Sequence, residues 1–273
     1  MLTEINTDVL VEMLRERGYY ATVNTVTKNG VQLEGVSILN DDGMGPCLYL
    51  EDLKPHYSDY EDLIDGIIRI YENNKTIDFE IEWLCNREWI LNHVYIALQR
   101  ASGEALVKRD TDFQGIEQYL YLRYRITSQL CSIKLSFSML ENAGLTAEEA
   151  WAAANANTLT AEETVISNMG SIFSQYCSFK SEPELYLPMY VISNPSQIKG
   201  SAQILDRRSI RNFFPPSVNR LICIPSSIHE CILIPDGDEN YDLNEINAII
   251  SEVNSEVVDR TEQLGDTCYL MAI

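Results

Sequence analysis

The stretch Arg220–Asp236, RLICIPSSIHECILIPD, constrains this chain more than any other. Two apolar runs, Leu221–Ile224 and Cys231–Ile234, flank the polar centre Pro225-Ser226-Ser227-Ile228-His229-Glu230, and each run closes on a proline. Proline has no amide hydrogen to give to a ladder, so it settles at strand ends. Runs this rich in Ile and Leu read as buried strands. The expectation is two adjacent central strands, Leu221–Ile224 and His229–Ile234, joined by a tight connection.

The rest of the chain alternates helices and strands without a regular βαβ rhythm. Residues 3–17 carry Ile5, Val9, Leu10, Met13 and Leu14 at helical spacing, with Gly18 as a stop. Tyr19–Thr27 and Val31–Leu39 flank Lys28-Asn29-Gly30, a hairpin signal, and a third strand follows at Cys47–Leu50. Tyr60–Tyr71 again repeats at helical spacing. A polar segment, Glu72–Lys75, then separates a small α+β unit over 1–76 from a larger α+β domain over 77–273. In the larger domain a helix with Trp83, Leu84 and Trp89 is expected. Strands are expected at Val94–Leu98, Tyr119–Ile126, Ile133–Met139 and Leu185–Ser193. Tyr119, Tyr121, Arg123 and Arg125 alternate with apolar residues, which puts them on one face. Leu-Thr-Ala-Glu-Glu occurs at 145–149 and 159–163, each with Thr three residues before Glu, so both copies read as capping boxes. Further helices are expected over Ile204–Phe214 and Asn244–Val257, the second with Ile246, Ile249, Ile250 and Val253 on one face. A last strand spans Thr267–Ala272. Short connections favour a mainly antiparallel sheet with helices on one face.

Charge narrows the partners. The 273 residues hold 41 acids and 20 bases, a net of -21. Residues 1–82 carry 17 acids and 6 bases, residues 83–230 carry 14 and 13, and residues 231–273 carry 10 and 1. Such a surface repels phosphates, which disfavours direct nucleic-acid binding and suits a basic protein partner or simple solubility. No apolar run is long enough to cross a bilayer and no basic leader opens the chain, which points to a cytoplasmic protein with no membrane contact. The 7 cysteines lack a CxxC pair and sit mostly in apolar runs, as buried hydrophobes do.

Candidate chemistry gathers at Ser227, His229 and Glu230. On an extended strand Ser227 and His229 would share a face, and Glu230 the opposite one. A hydrolase or transferase using Ser227 and His229 would therefore need an acid from elsewhere. No nucleophile elbow frames the serine. The bland alternative has the serines closing the connection and His229 satisfying buried backbone groups. The other histidines, His56 and His93, show no paired spacing, so no metal is expected. No nucleotide fingerprint or calcium loop appears, so no cofactor is expected. Arg207, Arg208 and Arg211 share one helix end and could bind an anion, though such a run more often reads as a solvated face or pairs with the acidic termini.

Three stretches carry a family resemblance. They are Asn29–Leu39 with Cys47-Leu48-Tyr49-Leu50-Glu51, then Leu187-Pro188-Met189-Tyr190-Val191-Ile192-Ser193-Asn194, and Ile224–Glu230. The chain resembles an uncharacterised domain-of-unknown-function family common in Gram-positive gut anaerobes and their mobile elements. That resemblance implies architecture and assigns no catalytic residues. With the charge, it implies a non-catalytic interaction or regulatory protein, anti-defence-like in kind, with the small hydrolase as the alternative.

Overall fold

The computed structural model describes residues 5–41, 43, 45–74, 80–126, 129–171, 188–237 and 241–273. The chain separates into two compact units, Met1–Phe79 and Glu80–Ile273. Both mix helices with antiparallel sheet, so the class is α+β.

In the first unit, helix α1 (Thr7–Glu16) starts where the Asn6 side chain accepts the N–H groups of Asp8 and Val9. It ends at Gly18, whose φ of 87° lets the chain reverse. Strands β1 (Ala21–Lys28) and β2 (Val31–Ile38) form a hairpin in the register Lys28↔Val31. Asn29 and Gly30 both take positive φ, 50° and 78°, as a two-residue turn of this hand requires. Strand β3 (Cys47–Tyr49) joins the free edge of β2. After the short helix α2 (Leu50–Leu53), helix α3 (Tyr60–Asn74) lays Leu63, Ile64 and Ile67 on Leu10 and Leu14 of α1 and Val36 of β2.

The second unit holds two sheets. Helix α4 (Arg87–His93), capped by Asn86, leads into β4 (Val94–Arg100). The long strand β6 (Ile116–Ile126) pairs with β4 along one side. Its other side is shared in succession by β5 (Lys108–Asp110) and β7 (Gln129–Lys134). Helices α5 (Phe137–Asn142) and α6 (Ala147–Ala156) follow. In the second sheet, β8 (Val165–Asn168), β9 (Tyr190–Ser193), β10 (Arg220–Ile224), β11 (Cys231–Pro235) and β12 (Tyr269–Ala272) run antiparallel in the order β12-β10-β11-β9-β8. Helix α7 (Arg207–Phe213) precedes β10, and α8 (Leu243–Glu256) precedes β12. Strands β10 and β11 are central as expected, with Leu221, Ile222, Cys223 and Leu233 fully buried.

Several expectations need correction. The strand expected over Ile133–Met139 stops at Lys134, because the Ser136 hydroxyl accepts the Met139 N–H and starts α5. Only the first Leu-Thr-Ala-Glu-Glu caps a helix, with the Thr146 and Glu149 side chains bonding reciprocally. Thr160 lies in a π turn closing α6, and the β-branched Thr164-Val165-Ile166 then leads into β8. The helix expected over Ile204–Phe214 is broken: a 3₁₀ segment, Gly200–Leu205, gives way at Asp206, which caps α7. The strand expected from Leu185 is seen at Tyr190–Ser193, and residues 185–187 lie outside the described residues.

Candidate functional site

The connection between β10 and β11 is a tight turn. The Ser227 N–H donates to the Glu230 carbonyl at 3.2 Å, and the Glu230 N–H returns to Ser227 at 3.4 Å. The strand expected to begin at His229 therefore begins at Cys231, and Ser227 and His229 do not share a strand face. Ser227 Oγ instead accepts the backbone N–H of His229 at 3.1 Å, a hydroxyl-closed turn. Neighbouring serines complete the anchoring. Ser193 Oγ donates to the His229 carbonyl at 2.8 Å and Ser201 Oγ to that of Ile228 at 2.7 Å. The Ile228 N–H reaches the Glu262 carbonyl at 2.8 Å. Glu230 enters through its main chain, which also takes the Ser226 hydroxyl at 3.3 Å.

The His229 ring has its own task. Nδ1 accepts the N–H of Lys199 at 3.2 Å, which in the neutral ring leaves the proton on Nε2, 3.5 Å from a Glu262 oxygen. A general base needs a free lone pair facing the nucleophile, and this one is spent on the backbone. The ring is 30% exposed, so it is not sealed in the core. It ties the loop Asn194–Gly200 to the turn through the Lys199 N–H.

That loop is tightly built. Gln197 and Lys199 both take left-handed φ, 54° and 53°. A side chain at Gly200 would meet Ser193 Oγ at 2.2 Å, the Asn194 nitrogen at 2.7 Å and the His229 carbonyl at 2.8 Å. The buried Asn194 ties the loop across itself, its amide donating to the Ile198 carbonyl at 3.0 Å. Lys199 then sends its ammonium to the Tyr119 hydroxyl at 3.0 Å, over the rings of Tyr119 and Tyr121. Non-glycine residues held in this conformation gather where geometry matters to function.

Beside the loop lies a cleft of about 340 Å³, lined by His93, Tyr95, Arg123, Tyr124, Arg125, Leu130, Glu162 and Ser196. Arg123 and Arg125, expected on one face of β6, both line it, as does Tyr124 between them. Arg123 pairs with Glu162 at 2.8 Å, each side chain only 14% exposed, and its guanidinium sits 3.7 Å from the centre of the Tyr95 ring. Burial works against the Arg123 charge, but Tyr121, Tyr95 and Glu162 outweigh it and raise its pKa above the ordinary value. Burial also pushes the Tyr124 phenol up to about 12 and raises that of Tyr121. In the sequence His93 stands only as a histidine with no paired ligand. Its ring closes a stack, with Trp89 4.3 Å away and Trp83 5.6 Å beyond Trp89. Helical spacing puts Trp89 and His93, four residues apart on α4, on one face. Trp83 joins them from a separate 3₁₀ segment, Ile81–Cys85, so the single helix expected to carry both tryptophans is broken at Asn86.

The remaining candidates disperse. Arg211 donates to the carbonyls of Phe214, Pro215 and Val218, while Arg207 lies over the Phe113 ring, 3.6 Å from Asp112. They form no anion site together. No group of three or more metal-ligating side chains occurs among the described residues, and no helix there is long and apolar enough to cross a membrane. Helix α8 is present as expected, and its aliphatic face is only partly covered. Ile250 and Asn254 are buried and Ile246 half-buried, whereas Ile249 is 59% exposed, Val253 42% and Val257 77%. Asn254 draws the helix round, its amide bonding the Gly265 carbonyl at 2.9 Å.

The profile of a family of unknown function, DUF5688, matches residues 2–272. The chain belongs to this family. No curated protein and no solved structure matches it.

Proposed function

We propose that this DUF5688 protein is a non-catalytic, acidic binding protein that docks a basic amphipathic segment of a partner protein on the outward face of α8. One observation carries the reading. Ile249 and Val253 on α8, with Val257 just past its end, form an exposed apolar stripe, and the exposed Glu245, Glu252 and Glu256 border it. Apolar stripes with charged borders are how helices present themselves to partners, and the border sets the partner's sign. The acid excess of residues 231–273, 10 against 1 base, has the same sign. The spent lone pair of His229 supports the non-catalytic part. A regulatory role of the anti-defence kind, acting by occupying a basic surface, belongs to this reading.

The test is fluorescence anisotropy with a lysine-rich amphipathic helical peptide. Binding is expected to weaken at least about tenfold between about 50 mM and about 500 mM salt, as screening shortens the reach of surface charge. Ile249→Asp and Val253→Asp should each weaken it without lowering the melting temperature. Binding that ignores both salt and these substitutions would overturn the proposal.

A further inference from the structure

The cleft beside β6 has chemistry that the acidic docking face does not use. We propose that it binds a mononucleotide. Three features converge on a planar ring carrying a hydroxylated sugar and a phosphate.

The first is the stack. Trp83 and Trp89 lie at an interplanar angle of 25°, Trp89 and His93 at 18°, and His93 is the member that lines the cleft. A flat ring entering the cleft extends that column. Offset stacking of this kind is favourable and tolerant of ring identity. The second is the free nitrogen of His93. Nδ1–H donates to the Trp89 carbonyl at 2.8 Å, which leaves Nε2 an acceptor in the neutral ring. It has no hydrogen-bond partner among the described residues. Its lone pair lies in the ring plane, so it can take a hydroxyl beside the stacked ring, as a ribose provides.

The third is Arg123. One of its nitrogens is committed to Glu162, whose other oxygen takes the Asn194 amide at 3.3 Å. The carboxylate is thus satisfied within the protein and acts to aim the guanidinium. A guanidinium carries five N–H donors in a planar fork, so Arg123 keeps donors for a phosphate. Arg125 lines the same cleft, so its lining holds two arginines against the one acid Glu162. In a chain of net charge -21 that balance is a local exception. It also sets the ligand's size: a polyanion is repelled by the surrounding surface, whereas a single phosphate is admitted. The volume of about 340 Å³ suits one nucleotide. The rigid loop carrying Ser196, fixed by left-handed Gln197 and Lys199, forms one wall.

The tryptophans supply the readout. Indole N–H resonances of the intact protein would be followed by NMR during titration with AMP, GMP, CMP and UMP. Parallel arms use the nucleosides alone and inorganic phosphate alone. At least one monophosphate should move the Trp89 signal, and bind at least about tenfold more tightly than its nucleoside or phosphate. The Trp151 ring, packed under Arg109 at 4.6 Å, should stay still. Arg123→Lys keeps the charge beside Glu162 but loses the planar fork, and should weaken binding about tenfold. His93→Ala should do the same, with the melting temperature of each variant checking its fold. Failure of all four nucleotides to move Trp89 at millimolar concentration overturns the inference. So does unchanged affinity in folded Arg123→Lys.

Discussion

Ser227 Oγ accepts the backbone N–H of His229 at 3.1 Å, so the two residues meet through the main chain while the imidazole turns to Lys199. A hydroxyl and an imidazole two residues apart resemble the start of a catalytic dyad, and the turn geometry assigns them to anchoring. His229→Ala leaves the Lys199 N–H without its acceptor, in a loop already held at positive φ, and should cost about 1–3 kcal/mol. Ser227→Ala removes a single neutral hydrogen bond and should cost about 0.5–1.5 kcal/mol. Thermal melts of the two variants check the order. Equal or absent shifts would remove the anchoring account.

Acid should release one identifiable restraint. Arg87 holds the Glu149 carboxylate, with help from the backbone N–H and hydroxyl of Thr146, and lowers its pKa from an ordinary 4.5 to about 2. A depressed carboxylate stabilises the fold fully above its unfolded pKa, and that contribution fades as the pH falls through the folded value. The loss is therefore expected between pH 4.5 and about 2. A carbon-detected NMR titration of Glu149 reports it directly, and Arg87→Gln should move the midpoint back up. A midpoint that stays put in Arg87→Gln would mean Thr146 alone holds the carboxylate.

What the sequence disclosed follows how local each signal is. Asn29-Gly30 determines its hairpin because the turn needs two positive φ values, and those two residues supply them at least cost. The apolar runs of β10 and β11 determine a buried pair for the same local reason. The Leu-Thr-Ala-Glu-Glu at 159–163 misleads because a capping box only starts a helix if the following residues continue it, and Thr164-Val165-Ile166 favour a strand. The cleft was half legible. Alternation along β6 places Arg123, but Glu162, Asn194 and the tryptophan stack arrive from distant segments. No pattern within a dozen residues encodes such a meeting.

Gly200 offers a steric test of the Asn194–Gly200 loop. A methyl group there meets two main-chain atoms, the Asn194 nitrogen at 2.7 Å and the His229 carbonyl oxygen at 2.8 Å, and neither can rotate aside. Gly200→Ala should therefore destabilise by at least about 1–3 kcal/mol, as overpacking does. Gly103→Ala is the control, since nothing lies within 4 Å of its added carbon. That variant should stay within about 0.5 kcal/mol of the parent. Urea melts of the pair give the comparison, and similar midpoints would show that the loop yields.

Neighbouring isoleucines in α8 decide how that helix sits. Ile249 is 59% exposed and Ile250 7% exposed, although their positions in sequence are adjacent. Ile→Ala at either removes the same atoms and changes helix propensity by the same amount, so the difference between the two variants isolates burial. Ile250→Ala should cost about 2–5 kcal/mol, because it empties space under the helix. Ile249→Ala should fall within about 0.5 kcal/mol of zero, the gain in propensity offsetting what little apolar contact is lost. Equal costs would mean that the helix buries both residues. The apolar stripe would then be covered by the protein itself, and no docking face would remain on α8. The predicted split, a large loss at 250 and none at 249, leaves Ile249 available to a partner.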